Sequence, residues 1–113
     1  MSDKPVLWTR EEAIDLCVRL DAILEFHGFH CGIIGSVLTK GYSHNDLDLV
    51  IFPHNASEYR LEHAYEALFA FGLASFMSRA QVAQAWERQL SKDSKHVEVW
   101  RYNGKRIDLF FMR

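Results

Sequence analysis

Apolar residues that recur every three or four positions predict the first helix of this chain. The recurring positions are Ala13, Cys17, Leu20 and Leu24. This spacing places their side chains on one face of a helix. Thr9 and Glu12 form the Thr-x-x-Glu pattern of a capping box immediately ahead of the run, and Gly28 is a suitable stop. The pattern therefore predicts a helix over residues 10–27.

Later segments show the same helical periodicity. A second buried stripe is predicted at Leu61, Tyr65, Leu68 and Phe69. Ser57 is interpreted as the N-cap of this second helix and Gly72 as its end. A third helix is predicted over residues 78–90, and a single helical turn over residues 37–40. Residues 41–45 have the glycine and polar composition of a loop.

Two segments in the first half of the chain carry strand signals. Residues 29–34 form a short apolar run that ends at a Gly-Ser pair. Residues 46–52 begin with alternating acidic and apolar side chains and continue as an apolar, β-branched run. Residues 53–55, which begin with Pro53, are expected to break this second strand.

The end of the chain predicts a β-hairpin. Residues 97–102 and 105–112 flank Asn103-Gly104, a preferred pair for a two-residue type I′ turn. A turn of this length fixes the register of the two strands, and it places Val99 opposite Asp108. The helices and strands together predict a mixed α/β (α+β) fold, with a small mixed β-sheet and helices packed against it. We expect one domain over residues 1–113.

Composition narrows the function classes. The formal charge is −2 and no basic block stands out, which argues against broad, charge-driven binding of duplex nucleic acid. The polar N-terminus lacks the apolar core of a signal peptide, and the longest nearly apolar stretch is too short to span a bilayer. Cys17 and Cys31 have no ligand spacing and are interpreted as reduced thiols. The prediction is a cytoplasmic protein without a membrane partner.

Three aspartates carry the candidate chemistry. Asp46 and Asp48 lie two residues apart and share one face of a strand. Asp108, between Ile107 and Leu109, is a third acid in the same kind of context. Carboxylates that repel each other favour a joining cation, and magnesium prefers oxygen ligands. Two alternatives stay open: the first two acids face solvent at a sheet edge, or Asp108 only pairs with Arg101 or Arg106.

A Gly-Ser turn precedes the acids. Gly35 and Ser36 offer backbone donors and a hydroxyl of the kind that holds phosphates. Gly35-Ser36, nine further residues, Asp46-Leu47-Asp48 and the later Asp108 together resemble the pattern of the DNA polymerase beta-like nucleotidyltransferase superfamily. The length of the chain is similar to that of the minimal nucleotidyltransferases within that superfamily. Lys40 stands where many members have arginine, and it is interpreted either as a phosphate contact or as a solvated loop residue.

The resemblance implies a role for each matching residue. Asp46 and Asp48 would bind the magnesium ion that accompanies a nucleoside triphosphate. Asp48 and Asp108 would hold a second ion, and Asp108 would assist deprotonation of the acceptor hydroxyl. Gly35 and Ser36 would contact the β- and γ-phosphates. Two ions about 3.5–4 Å apart can stabilise both the attacking and the leaving oxygen.

The implied function is magnesium-dependent transfer of a nucleoside monophosphate from a nucleoside triphosphate to a hydroxyl. The acceptor is unknown, and we expect a protein or a small molecule. The alternative is a module that binds nucleotide or a partner with little turnover, such as the antitoxin of a toxin–antitoxin pair. A third hypothesis is a small structural subunit whose acids are incidental. A homodimer and a hetero-complex are both compatible with the sequence.

Overall fold

The computed structural model describes residues 5–55, 60–75 and 95–112 of the chain. Its helices are α1 (Arg10–Phe26), α2 (Ser36–Lys40) and α3 (Leu61–Phe71). Its strands are β1 (Trp8–Thr9), β2 (Phe29–Ile34), β3 (Tyr42–Ser43), β4 (Leu47–Pro53), β5 (Ala74–Ser75), β6 (Lys95–Tyr102) and β7 (Lys105–Met112). The predicted mixed fold class is confirmed.

Helix α1 begins where the sequence predicts. The Thr9 hydroxyl accepts a hydrogen bond from the Glu12 backbone N–H, and the Glu12 carboxylate accepts one from the Thr9 backbone N–H. Both halves of the capping box are therefore present. The buried positions of α1 are Ala13, Leu16, Leu20 and Leu24. Cys17, predicted on the buried stripe, is only partly buried, and Leu16 takes the central position.

The main sheet has five strands in the order β2-β4-β7-β6-β5. Strands β4 and β7 are parallel, and every other neighbouring pair in this sheet is antiparallel. The register places Asp48 beside both Ile34 of β2 and Asp108 of β7. The two central strands thus bring together acids that are sixty residues apart in sequence.

The predicted C-terminal hairpin is confirmed. Strands β6 and β7 pair Tyr102 with Lys105 and Val99 with Asp108, as the two-residue turn requires. Asn103 and Gly104 both have positive φ angles, 51° and 77°, which is the requirement of a type I′ turn.

The two faces of the sheet differ. The helix-covered face packs against α1 and α3, and its fully buried side chains are Leu47, Leu49, Ile51, Trp100, Ile107, Leu109 and Phe111. The rings of Tyr65 and Phe69 of α3 pack against Trp100 in tilted arrangements. The acid-bearing face is partly exposed and includes Asp48, Val50, Arg106, Asp108 and Phe110. Alternate residues of one strand therefore lie in the core and on a partly exposed surface.

Some local predictions need correction, and others fall outside the described residues. Residues 42–43, predicted as loop, form β3 and pair with β1 in a separate two-stranded sheet. Strand β4 ends at Pro53, one residue beyond its predicted end, so the break falls at residues 54–55 of the predicted 53–55. Ser57 and the helix predicted over residues 78–90 lie outside the described residues, and α3 begins after Arg60, which makes no side-chain capping bond.

Helix α3 ends as predicted at Gly72, whose φ of 112° is left-handed. Within the described part of the chain, no helix is long and apolar enough to cross a membrane.

Candidate active site

The three predicted aspartates converge at one end of the acid-bearing face. Asp46, Asp48 and Asp108 each present a carboxylate oxygen, and these atoms lie within 4.8 Å of one another. Asp46 directly precedes β4, Asp48 is the second residue of that strand, and Asp108 is its partner on β7. All three are partly buried. The parallel register of β4 and β7 is the feature that assembles the cluster.

Crowding and burial raise the pKa of two of these acids. The pKa of Asp48 rises to about 6, first because of burial and then because of the negative charges of Asp46 and Asp108. The pKa of Asp46 also rises, through burial and through its interaction with Asp108. Arg106 opposes both shifts. The cluster therefore concentrates negative charge that one arginine only partly offsets.

Arg106 makes an ion pair with Asp108. Its Nε donates to Oδ1 at 2.8 Å, and its Nη2 donates to Oδ2 at 3.3 Å. The arginine side chain is 45% exposed, whereas that of Asp108 is 13% exposed. The salt-bridge alternative for Asp108 is thus present, and it coexists with the acid cluster.

Gly35 lies against the cluster. Its φ is +76°, and a Cβ at this position would overlap Oδ2 of Asp48 and lie 3.0 Å from its Cγ. Only glycine leaves room for the Asp48 carboxylate here while adopting this backbone conformation without strain. Gly35 is also the N-cap of α2, so the predicted Gly-Ser turn and the predicted acids are in direct contact.

The other predicted phosphate contacts lie on α2. Ser36 is the first residue of the helix and is partly buried, and Lys40 is its last residue and is exposed. A helix turn therefore separates Lys40 from the Gly-Ser turn. Gly41 ends the helix in the left-handed region, with its N–H bonded to the Val37 carbonyl.

Two positioning residues were missed from the sequence. The buried Ser43 hydroxyl accepts hydrogen bonds from the N–H groups of Asn45 and Asp46, at 3.2 and 3.1 Å. These bonds fix the turn that delivers Asp46 to the cluster. The indole N–H of Trp8 donates to the Arg106 carbonyl at 2.9 Å, beside Asp108. A serine followed by Asn-Asp is a local turn signal that could have identified Ser43.

Comparison with known proteins supports the fold. The sequence matches no protein-family model and no curated protein at a significant level. The chain is similar in structure to a cytoplasmic RNA terminal U-transferase, with a TM-score of 0.60 and 18% sequence identity. The similarity covers 98% of this chain and 29% of that protein. This chain has the fold of a nucleotidyltransferase. The similarity spans under a third of that neighbour's length, and at this identity it carries the fold alone.

Proposed function

We propose that this chain is a magnesium-dependent nucleotidyltransferase of the minimal type, acting as one domain over residues 1–113. In this proposal it transfers a nucleoside monophosphate from a nucleoside triphosphate to a hydroxyl of a protein or small molecule. The observation that carries the proposal is the convergence of Asp46, Asp48 and Asp108 within 4.8 Å on a nucleotidyltransferase fold. The contact between Gly35 and the Asp48 carboxylate supports it.

The donor set fits a hard divalent cation. Each of the three residues offers carboxylate oxygens, which magnesium prefers to nitrogen or sulfur. The raised pKa of Asp48 shows that burial and the charges of Asp46 and Asp108 disfavour its ionised form. A cation bound among the three carboxylates would relieve the repulsion between them. Asp46 and Asp48 would hold one ion, and Asp48 and Asp108 a second. Magnesium bound there would neutralise charge on the triphosphate during transfer.

The chain's own residues position the reactants. Gly35 and Ser36 bind the β- and γ-phosphates through backbone N–H groups and the serine hydroxyl, with Lys40 as a further cationic contact. Asp108 accepts the proton of the acceptor hydroxyl. The acceptor oxygen then forms a bond to the α-phosphorus as the bond from that phosphorus to the bridging oxygen breaks, and pyrophosphate leaves. Positioning and charge neutralisation supply most of the catalysis in such transfers.

A transfer assay tests this function. Each of the four ribonucleoside triphosphates, labelled at the α-phosphate, is incubated with the protein, magnesium and one acceptor class. The classes are aminoglycosides, tyrosine-bearing proteins and RNA with a free 3′ end, the last because the structural neighbour is an RNA terminal U-transferase. We expect label on one class, and none with Asp48→Asn. Equal labelling by that variant would contradict the proposal. Saturable triphosphate binding with no labelled acceptor would instead favour a binding module, such as an antitoxin.

A further inference from the structure

Two cysteines outside the acid cluster lie side by side, Cys17 on α1 and Cys31 on β2. The Sγ atoms of Cys17 and Cys31 are 3.5 Å apart, and both residues are free thiols and partly buried. Cys17 Sγ lies 3.8 Å from the Cys31 carbonyl oxygen, and Cys31 Sγ lies 3.5 Å from the Cys17 carbonyl oxygen. Each thiol therefore contacts both the sulfur and the backbone carbonyl of the other cysteine.

We infer that Cys17 and Cys31 form a thiol-modification site that reacts with small disulfides and closes to an intramolecular disulfide between α1 and β2. The sulfurs need to approach by about 1.5 Å to reach the disulfide bond length of about 2.05 Å. Cysteine side chains cover such a distance by rotating about χ1. The inference is independent of the nucleotidyltransferase proposal.

The surroundings assign an order to the two thiols. The hydrogen bond between the two thiols lowers the pKa of Cys17 and raises that of Cys31, and burial raises the pKa of Cys31 further. The assignment of Cys17 as the attacking thiolate and Cys31 as the resolving thiol belongs to the same proposal. The carboxylate of Asp21 holds β2 at this point, because its Oδ1 accepts the Cys31 backbone N–H at 2.9 Å.

The reaction balances with a small disulfide as the oxidant. The Cys17 thiolate attacks one sulfur of oxidised glutathione, forms a mixed disulfide and releases one glutathione thiolate. The Cys31 thiol loses its proton to solvent and attacks the Cys17 sulfur, which releases the second glutathione. The protein loses two electrons and two protons, and oxidised glutathione gains both as two molecules of glutathione.

The test uses the whole folded chain, oxidised glutathione as the probe, alkylation after denaturation, and intact mass. We expect the wild type to lose about 2 Da, to carry no glutathione and no alkyl group, and to recover both thiols with dithiothreitol. Cys31→Ser lacks the resolving thiol and should accumulate the Cys17–glutathione adduct. Cys17→Ser keeps one thiol, so it should form at most a Cys31–glutathione adduct and no internal disulfide. Circular dichroism of both variants is the control that they keep the fold.

Two results would overturn the inference. One is a wild type that keeps two alkylatable thiols after prolonged exposure to the oxidant, whatever the variants do. The other is a wild type that accumulates a stable glutathione adduct or a disulfide-linked dimer in place of the internal disulfide.

Discussion

The two faces of the central strands are built from alternate residues of the same sequence, yet they have opposite properties. On β7, Ile107, Leu109 and Phe111 are fully buried against the helices, whereas Arg106 and Asp108 are at least partly exposed. On β4, Leu49 lies in the core and Asp48 beside it reaches the acid cluster. Adjacent residues of one strand therefore act in opposite ways: Leu49 stabilises the fold by its burial, whereas the charge of Asp48 opposes folding.

The difference shows how the fold holds carboxylates on each face. On the helix-covered face, the buried Glu98 carboxylate accepts hydrogen bonds from the Tyr65 hydroxyl at 2.6 Å and from the Trp100 indole N–H at 2.9 Å. On the acid-bearing face, partial exposure and Arg106 keep the cost of the charges tolerable. The repulsion among the three carboxylates of this face favours the binding of a cation. Substitutions on the acid-bearing face should therefore change activity, whereas substitutions of adjacent residues on the helix-covered face should change stability.

The largest expected effect is on transfer. Asp48→Asn should reduce nucleotidyl transfer by roughly 10²–10³-fold or more, because it removes a charge shared by both proposed ion sites. Asp15→Asn is the matched control, since Asp15 is an exposed acid of α1 paired with Arg19. The control should keep its activity in the same labelling assay. Loss of activity in both variants would point to a general charge effect instead.

The next effect is on stability and compares adjacent residues of β7. Leu109→Ala should lower the free energy of unfolding by roughly 2–5 kcal/mol, because it leaves a cavity in the core. Asp108→Asn should leave stability nearly unchanged, because it removes repulsion as well as the ion pair with Arg106. Denaturant unfolding measures both. A larger loss in Asp108→Asn than in Leu109→Ala would reverse the assignment of the two faces.

A smaller effect distinguishes two glycines that both have positive φ angles. Gly35 and Gly28 have φ angles of +76° and +82°, but only at Gly35 would a Cβ meet a neighbour within 4 Å, the Asp48 carboxylate. Gly28→Ala should cost roughly 1–2 kcal/mol for its positive φ. Gly35→Ala should cost more, because its φ of 76° and ψ of −155° are nearly exclusive to glycine and its Cβ would overlap the Asp48 carboxylate. Only Gly35→Ala should also weaken magnesium-dependent triphosphate binding. Equal triphosphate binding by the two variants would show that Gly35 is not part of the nucleotide site.

The smallest effect is a change of stability with pH. Burial and neighbouring charges raise the pKa of Asp48 to about 6 in the folded chain, above its ordinary value near 3.9. The folded state therefore binds the proton more tightly, and stability falls as the pH rises from about 4 to 6.

Without divalent cations, the Tm of Asp48→Asn should accordingly exceed that of the wild type at pH 7.5 by a few degrees. The difference should shrink as the pH falls towards 4. A Tm difference independent of pH would mean that repulsion at Asp48 does not destabilise the fold.

Local signals predicted much of this fold. The capping box at Thr9, the glycine stops and the Asn103-Gly104 turn specify α1, the end of α3 and the hairpin, because each acts within a few residues. The acid cluster was also predicted, from the alternation that puts Asp46 and Asp48 on one face and from the resemblance to the nucleotidyltransferase pattern, whereas the pairing of β4 with β7 that assembles it is non-local.

Non-local contacts were harder to predict. The pairing of β1 with β3 involves two residues from each strand, which is too few for a periodic pattern. The approach of Cys17 to Cys31 depends on how α1 packs against β2. The roles of Ser36 and Lys40 stay predictions, because they depend on a bound triphosphate.

The most direct measurement of the central claim is a calorimetric titration of each of the four nucleoside triphosphates into the protein with magnesium. It is repeated without magnesium and with Asp46→Asn. The account predicts saturable binding of at least one triphosphate that requires magnesium and is lost in the variant. Binding that survives Asp46→Asn, or no binding of any triphosphate by the wild type, would contradict a nucleotide site at the acid cluster of this chain.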